Sequence, residues 1–445
     1  MNVEKVFKRY DIRGEFPEEI DEEFSYLLGK AFATFCIENK KDQVVVSKDN
    51  RKCSEKAKES FLEGLRDVGI NIVDVDEGPT DRLAVATNKY GGFGVQVTAS
   101  HLSWDMTGFK FVYTRGNGFN NNDLDRVKEI FQKREFKSFE QGFEIDETFE
   151  MDETYFERVI DYLKDSGILE EDYEYSNSFS DTKVVVDCGN GATQNLAPWI
   201  FQELGFNVVE VGKQELDPHP KEHNREFVRE TVVNQGADIG IGFDPDGDRV
   251  YVILPDHGWV DGNSIIYCLS KLIGADKVAV SVDTADFVEE AGCEVFYSRV
   301  GDVFVSEVGV ENNVDLLGEP NGHFALTKFS WYNSGIIAAT AILTQLQDFK
   351  QVLKGSPENY TVTKSIDLGG KNSKKVFNKV MKHVAKNYDV LSTKDGVKFE
   401  KDGCTVLART SGTSNVLRLV FNGEKEEDVE KVCENVYSTF SKFLI

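Results

Sequence analysis

Three stretches of the chain repeat one pattern, and this repeat constrains the fold more than any other feature of the sequence. Each stretch begins with a valine-rich run, continues through a helical segment and reaches a glycine that opens a second apolar run. The first runs lie at residues 44–46, 184–186 and 278–280, and the second runs begin at Gly69, Gly205 and Gly292. Because each stretch has the pattern of a βαβ unit, we predict sheets covered by helices on both faces, with right-handed crossovers.

The third strand of each unit ends in an unusual loop, and the three loops hold equivalent positions. The first loop carries Ser100, the second has the sequence DPDGD at residues 244–248, and the third has GEPNGH at residues 318–323. Ligands of α/β folds bind at the carboxyl ends of strands. We therefore expect the three loops to face one another across a single cleft.

A chain of 445 residues is too long for one core, so we predict several domains. The part from about residue 361 differs in plan, with short strands and helices near residues 373–386 and 425–443. The prediction is three related α/β domains followed by a smaller α+β C-terminal domain, with limits at 1–150, 151–255, 256–360 and 361–445.

The first loop places a hydroxyl at the end of an alternating strand, residues 94–98. Ser100, followed by His101, is therefore a candidate reacting group. Hydroxyl side chains are also typical of a simple turn that ends a strand. The loop alone does not show whether Ser100 reacts or only ends the strand.

The second loop offers three carboxylates at alternate positions: Asp244, Asp246 and Asp248. Oxygen ligands suit a hard cation such as Mg²⁺ or Ca²⁺. An EF-hand is excluded, because Arg249 takes the position of its glycine and Pro255 that of its bidentate glutamate. A solvated acidic turn is the alternative, but the apolar flanks favour an inward-facing metal site.

Two further loops suggest sugar and phosphate binding. In the third loop Glu319 and Asn321 have the groups to bind vicinal sugar hydroxyls. In the C-terminal part, RTSGTSN at residues 409–415 has the composition of an anion nest, and Arg409 and Arg418 add donors for a phosphate. Each loop by itself is equally typical of a plain turn.

The chain carries 51 basic and 77 acidic residues, a formal charge of −26. This charge argues against nucleic acid or an anionic membrane as the partner, and it suits a cytosol of high salt. Six basic residues nevertheless lie in or beside the loops, which predicts a locally positive cleft for a small anionic ligand: Arg13, Lys110, Arg249, Arg299, Arg409 and Arg418.

Other classes of function have little support. The seven cysteines form no C-x-x-C pair, so neither a disulfide framework nor a zinc site is indicated. Gly189 and Gly191 begin like a dinucleotide fingerprint, but Gln194 stands where the third glycine is needed. With no signal peptide and no apolar run of about 18 residues, we expect a cytoplasmic protein without a membrane span.

The loops together resemble the α-D-phosphohexomutases, the phosphomannomutase/phosphoglucomutase family, over essentially the whole chain. KRYDIRG at residues 8–14 is similar to the family's N-terminal signature, and weaker matches lie at SKDNRKCS and VDCGNGA. The resemblance implies four domains around a central cleft. It also implies transfer of a phosphoryl group between O6 and O1 of glucose or mannose, through a phosphoserine and a 1,6-bisphosphate that also serves as activator.

The resemblance also implies roles for individual residues. Ser100 would be the phosphoserine and would share one Mg²⁺ per chain with Asp244, Asp246 and Asp248. The transferring phosphoryl would contact Lys110, Arg249 and Arg13. The sugar would contact Glu319, Asn321 and Arg299, with His323 in support. The second phosphate would contact Arg409, Ser411, Gly412, Thr413 and Arg418. The general base stays open among His101, Lys110 and the carboxylates.

The chain departs from the family pattern at several positions, which leaves the sugar open. These are Leu102-Ser103 for Asn-Pro, Thr107 for Asn, Ser414-Asn415 for Glu-Pro, and Ser334 for Asp. The alternatives are a phosphoglucosamine mutase, a metal-dependent sugar-phosphate phosphatase and a non-catalytic homologue that binds sugar phosphates. We expect a monomer or a homodimer.

Overall fold

The structure is a computed structural model, and it describes residues 3–139, 142–170, 179–211, 222–411 and 415–444. It contains four sheets, one for each unit of the chain. Helices pack against the sheets, and the largest apolar core joins the first three units. Within the described ranges, no helix combines the length and the apolar character needed to cross a membrane.

The first unit has a six-stranded sheet in the order β1-β5-β4-β2-β3-β6. Its strands are β1 (Ile12–Glu15), β2 (Gln43–Lys48), β3 (Asn71–Glu77), β4 (Phe93–Val97), β5 (Met106–Val112) and β6 (Glu144–Asp146). Its helices are α1 (Val3–Val6), α2 (Glu22–Glu38), α3 (Lys52–Val68), α4 (Thr80–Tyr90) and α5 (Asn121–Lys133), followed by the connecting α6 (Thr148–Asp165).

The second unit has a five-stranded sheet in the order β11-β10-β9-β7-β8. Its strands are β7 (Lys183–Asp187), β8 (Asn207–Val211), β9 (Ile239–Phe243), β10 (Val250–Leu254) and β11 (Gly258–Val260), with helices α7 (Ala197–Glu203) and α8 (Glu222–Gln235).

The third unit has a four-stranded sheet in the order β13-β12-β14-β15. Its strands are β12 (Lys277–Ser281), β13 (Glu294–Ser298), β14 (Leu316–Gly318) and β15 (Phe324–Leu326). Its helices are α9 (Gly262–Leu272), α10 (Asp302–Asn312), α11 (Gly335–Thr344) and α12 (Leu346–Lys354), and a 3₁₀ helix spans Asp286–Ala291.

The fourth unit is antiparallel, with the order β16-β20-β19-β18-β17. Its strands are β16 (Tyr360–Asp367), β17 (Asp389–Ser392), β18 (Val397–Lys401), β19 (Cys404–Thr410) and β20 (Val416–Gly423). Helices α13 (Ser373–Asn387) and α14 (Glu426–Ser441) lie close to the two predicted helices, and a 3₁₀ turn spans Lys442–Leu444. The predicted α+β plan of this part is confirmed.

The predicted repeat is confirmed by the strand pairing. In each of the first three units, the strand that opens the repeat lies between two parallel neighbours. These strands are β2 between β3 and β4, β7 between β8 and β9, and β12 between β13 and β14. The last of these parallel strands then turns into an antiparallel neighbour, β5, β10 or β15. One detail differs, because the connection after β12 is a short 3₁₀ helix where the others have α-helices.

The turn from the parallel to the antiparallel strand is where the three unusual loops lie. Ser100 follows β4, the aspartates separate β9 from β10, and residues 319–323 separate β14 from β15. The domain limits stay a prediction. Of these, 150/151 falls within α6 and 255/256 within the β10–β11 hairpin.

A glycine allows β1 to approach this region closely. Gly108 of β5 lies opposite Arg13 of β1. A Cβ at Gly108 would lie 2.0 Å from the carbonyl oxygen of Ile12 and 2.9 Å from that of Thr98. Any larger residue at position 108 must therefore displace β1, the strand that positions Arg13 at the cleft.

We predict that Gly108→Ala lowers the free energy of unfolding by about 1–3 kcal/mol, the usual cost of overpacking. The thermal unfolding midpoint, followed by circular dichroism, checks it. Gly355→Ala is the matched control, because the nearest atom to a Cβ there is 3.6 Å away. Equal midpoints for the two variants would contradict the prediction.

Candidate functional site

A cleft of about 720 Å³ lies between the four units. Every unit contributes to its wall, and most of the residues singled out in the sequence line it: Arg13, Ser100, His101, Lys110, Asp248, Arg249, Glu319, Asn321, His323, Arg409, Ser411 and Arg418. Asp244 and Asp246 are buried and are not part of its wall. Gly412 and Thr413, together with Ser414 beside them, lie outside the described residues.

Ser100 sits in an unusual backbone conformation. Its φ is +54°, a left-handed value that costs energy for any residue with a Cβ. The backbone N–H of Ser100 donates to the Thr98 hydroxyl at 2.9 Å, and its Oγ lies 3.4 Å from Nδ1 of His101. A strained position of this kind persists only where the surroundings hold it.

Arg51, which is 1% exposed, holds the loop around Ser100 in place. Its guanidinium donates to the backbone carbonyls of Ser100, Leu102 and Ser103, while its Nε donates to Asp49 Oδ2 at 2.8 Å. The same Asp49 oxygen accepts the Thr98 hydroxyl at 2.7 Å. One buried ion pair therefore fixes the loop at both sides of Ser100.

The loop at residues 244–249, named here the metal loop, brings three carboxylates together. One oxygen from each of Asp244, Asp246 and Asp248 lies within 4.8 Å of the other two, and all three side chains are buried. Asp244 Oδ2 and Asp246 Oδ1 have no hydrogen-bond partner. Burial, with the charges of Asp248 and Asp246, raises the pKa of Asp244 well above its usual value. Buried, unpartnered hard oxygen atoms fit a divalent cation such as Mg²⁺.

Lys110 balances part of this negative charge. Its ammonium lies 2.5 Å from Asp246 Oδ2 and 2.6 Å from Asp248 Oδ2. Burial lowers the pKa of Lys110, but the two carboxylates outweigh burial and raise the pKa well above its usual value. Lys110 is therefore a permanent cation at the wall of the cleft.

The third loop joins the metal loop through His323. Its Nδ1 lies 3.1 Å from Glu319 Oε2, and its Nε2 lies 3.2 Å from Asp248 Oδ1 and 2.9 Å from Arg249 Nε. Burial and Arg249 lower the pKa of His323, but the two carboxylates prevail and raise it to about 9. The ring therefore lies between Glu319 and Asp248 and brings the two carboxylates together.

Glu319 faces two ways. Its Oε1 accepts the backbone N–H of Gly301 at 2.8 Å, at the entrance to α10. Burial opposes ionisation, yet the bonds from His323 and Gly301 keep the pKa of Glu319 below its usual value. The carboxylate is therefore a fixed acceptor at the cleft.

The arginines of the fourth unit form a separate positive region. Arg409 and Arg418 lie directly opposite each other on β19 and β20, an arrangement that is unfavourable for like charges. Burial and the charge of Arg409 lower the pKa of Arg418. Asp395 contacts Arg409 at 3.5 Å, but the buried Nε of Arg409 has no partner. An anion bound between the two arginines would reduce the repulsion between their charges and would accept a hydrogen bond from Nε of Arg409.

Arg299 is placed differently from the other predicted residues. It is not among the cleft-lining residues, and its guanidinium stacks on the Phe304 ring at 3.8 Å. Arg9, which lines the cleft, contacts the same ring at 4.5 Å. Arg9 is therefore a further positive charge of the cleft. Because Arg299 does not line the cleft, its expected contact with the sugar or a phosphate stays a prediction.

Sequence reasoning missed several other cleft residues: Asp302, Tyr332 and Asp395. None belongs to a distinctive pattern. Asp302 is the first residue of α10, directly after Gly301, and burial raises its pKa. Asp395 accepts the backbone N–H of Val300 at 3.2 Å and so joins the fourth unit to the third. Of the three, only Asp302 lies close in sequence to a predicted site residue, Arg299.

Comparison with known proteins gives one family for the whole chain. Models of the phosphoglucomutase/phosphomannomutase family match in order: the alpha/beta/alpha domain I at residues 4–138, domain II at 161–258, domain III at 261–360 and the C-terminal domain at 362–439.

Two curated relatives cover nearly the same length. The "Probable phosphoglucosamine mutase" of Pyrococcus horikoshii is 27% identical and covers 99% of both chains. The "Phosphoglucomutase/phosphomannomutase" of Thermococcus kodakarensis is also 27% identical and covers 97% of both chains. A crystal structure of a phosphoglucomutase/phosphomannomutase family protein from Burkholderia thailandensis has the same fold, with a TM-score of 0.84, 23% identity and coverage of 99% and 97%.

We predict that Asp244→Asn weakens Mg²⁺ binding by about two orders of magnitude, since the number of charged ligands sets the affinity for hard cations. Isothermal titration of the full chain with MgCl₂ measures the dissociation constant. Asp123→Asn is the control, because Asp123 is paired with the Tyr113 hydroxyl outside the cleft. Unchanged affinity in Asp244→Asn would show that the metal loop is not the cation site.

Proposed function

The chain belongs to the phosphoglucomutase/phosphomannomutase family within the α-D-phosphohexomutases, and from this premise we propose that it interconverts the 6-phosphate and the 1-phosphate of a hexose or hexosamine through Ser100. The observation that carries the proposal is the cleft itself. Ser100, in a strained turn, lines the same cleft as Lys110 and as Asp248 and Arg249 of the metal loop. Arg409 and Arg418 of the fourth unit line it as well.

The proposed reaction begins with a phosphorylated Ser100. The bond between phosphorus and Oγ breaks while a bond to the free sugar hydroxyl forms, and the hydroxyl proton passes to a base. The product is a 1,6-bisphosphate, and Ser100 Oγ takes up a proton. After the bisphosphate reorients, the bond between phosphorus and the other sugar oxygen breaks while a bond to Ser100 Oγ forms, the serine proton leaves to a base, and the freed sugar oxygen takes up a proton. Added hexose 1,6-bisphosphate would activate the enzyme by phosphorylating Ser100 in the same way.

Electrostatics supply most of the catalysis in such transfers. A Mg²⁺ held by Asp244, Asp246 and Asp248 would neutralise charge on the phosphoryl oxygens when bound. Lys110, held as an ammonium, acts with Arg13 and Arg249 in the same sense. The base that takes the hydroxyl proton stays open among His101, Lys110 and the cleft carboxylates.

Substrate binding is divided between two loops. Glu319 and Asn321 face the cleft and would accept and donate hydrogen bonds to sugar hydroxyls. Arg409, Arg418 and Ser411 would bind the phosphate that does not react, which relieves the repulsion between the opposed arginines. Since the phosphate changes ends in each cycle, this second region must accept either end of the sugar.

For the sugar, glucosamine phosphate is the better-supported substrate. The relative from P. horikoshii carries the name phosphoglucosamine mutase, whereas the T. kodakarensis relative, named for glucose and mannose, supports the sugars that the sequence placed first. We therefore propose glucosamine phosphate first, and glucose and mannose phosphates second.

We expect the purified chain to gain one phosphate on Ser100 after incubation with glucose 1,6-bisphosphate and Mg²⁺. Peptide mass spectrometry locates the phosphate, and a hexose or hexosamine 6-phosphate should then remove it. Ser100→Ala should lose both phosphorylation and turnover, while Ser103→Ala, in the same loop, should keep them. Steady release of inorganic phosphate would instead indicate a phosphatase, and binding without turnover a non-catalytic homologue.

The sugar preference is tested by comparing kcat/KM for the 1-phosphates of glucosamine, glucose and mannose. We expect the highest value for glucosamine. Glu319→Gln should raise KM for the preferred sugar by about 10- to 100-fold, because a hydrogen bond to a charged group contributes roughly 1.5–3 kcal/mol. A higher kcat/KM for glucose or mannose would overturn the order proposed here.

A further inference from the structure

A buried carboxylate outside the cleft lies at the junction of three parts of the chain. Asp81, the second residue of α4, is fully buried and does not line the cleft. Its Oδ2 accepts the hydroxyls of Tyr155, on α6, and of Ser334, the N-cap of α11. Its Oδ1 accepts the backbone N–H of Arg82 at 2.9 Å. The first and third units are thereby joined through one side chain.

The segments joined by Asp81 are those that hold the metal loop. On one side, the Thr80 N–H donates to the carbonyl of Asp246 at 3.0 Å, and the Thr80 hydroxyl lies 3.3 Å from Asp246 Oδ2. On the other side, the Gly335 N–H donates to the carbonyl of Gly247 at 3.0 Å. Thr80 is next to Asp81 and Gly335 is next to Ser334. The hydroxyl of Ser334 therefore joins the two flanks through the Asp81 carboxylate.

There is little room for the metal loop to move between these flanks. A Cβ at Gly247 would lie 2.8 Å from Cβ of Pro79, and a Cβ at Gly335 would lie 2.6 Å from the carbonyl oxygen of Arg249. The flanks therefore touch the loop directly, and a change in their separation must move residues 246–249.

Burying the carboxylate of Asp81 costs free energy that an apolar side chain at the same position would not cost. Burial raises its pKa to about 6, and its ionised form is supported by two hydroxyls and one backbone N–H. Among the described residues, no basic side chain forms an ion pair with it. Burying a charged carboxylate costs free energy, and groups with shifted pKa values cluster at functional sites.

We propose that Asp81 is a positioning residue for the metal loop: by binding Tyr155 and Ser334 together, it fixes the distance between Thr80 and Gly335 and hence the arrangement of the three metal-binding carboxylates. Asp81 neither lines the cleft nor belongs to the group of three carboxylates. The proposal rests on the proposed function only for its effect on turnover, since the effect on cation binding is independent of any sugar.

Two variants loosen the junction to different degrees. Asp81→Ala removes the acceptor of both hydroxyls, and Tyr155→Phe removes only one donor. The matched control is Tyr113→Phe, which removes a hydroxyl that donates to Asp123 at a site away from the metal loop. All variants keep the metal ligands intact.

The test is the dissociation constant for Mn²⁺, measured on the full chain without sugar by electron paramagnetic resonance of the free ion. We expect about tenfold weaker binding in Asp81→Ala and a smaller loss in Tyr155→Phe, within the range known for residues that orient metal ligands. Tyr113→Phe should bind as the unchanged chain does. In turnover assays kcat at a fixed, subsaturating Mg²⁺ concentration should fall, and added Mg²⁺ should restore it.

A purely structural role predicts a different result. If the thermal midpoint falls while the Mn²⁺ dissociation constant stays within twofold, the proposal is wrong; it also fails if the unchanged chain binds no Mn²⁺. Should Asp81→Ala not fold, Tyr155→Phe against Tyr113→Phe decides by the same criterion. Normal Mn²⁺ effects with no phosphate on Ser100 would instead refute the proposed function alone.

Discussion

The structure depends on the burial of three carboxylates in one short loop. Negative charges at this distance repel one another strongly where water is excluded, so the three carboxylates require compensation from basic groups around them. That compensation comes from every side: Lys110 from the first unit, Arg249 from the loop and His323 from the third unit. The units are thus held around the cleft by charge as well as by the shared apolar core.

The threefold repeat makes this convergence possible. Because each unit turns from its third parallel strand into an antiparallel one, each presents a loop at the same edge of its sheet. Three different sequences in that loop present three different sets of groups: a serine in a strained turn, three buried carboxylates, and a glutamate, an asparagine and a histidine. A duplicated scaffold therefore serves one site, since only the short loops have diverged in purpose.

Much of the scaffold could be predicted from the sequence, but the contacts between units could not. Valine runs and glycine positions indicated the strands, and the loops after them indicated the cleft. Arg299 shows the limit, because nothing in its neighbourhood distinguishes a cleft contact from stacking on Phe304. Asp81 shows the same limit, since its partners are 74 and 253 residues away along the chain. Side-chain orientation and long-range partners depend on tertiary packing, which no local pattern reports.

The fourth unit differs because its attachment is one-sided. It packs on the third unit through an apolar cluster of Val282, Leu407 and Val420, and Lys398 pairs with Asp286 at 2.5 Å. Its opposed arginines, by contrast, face the cleft. An anion bound between these arginines would relieve their like-charge repulsion. The phosphate binding proposed above would therefore remove an unfavourable interaction that the fourth unit carries at the cleft.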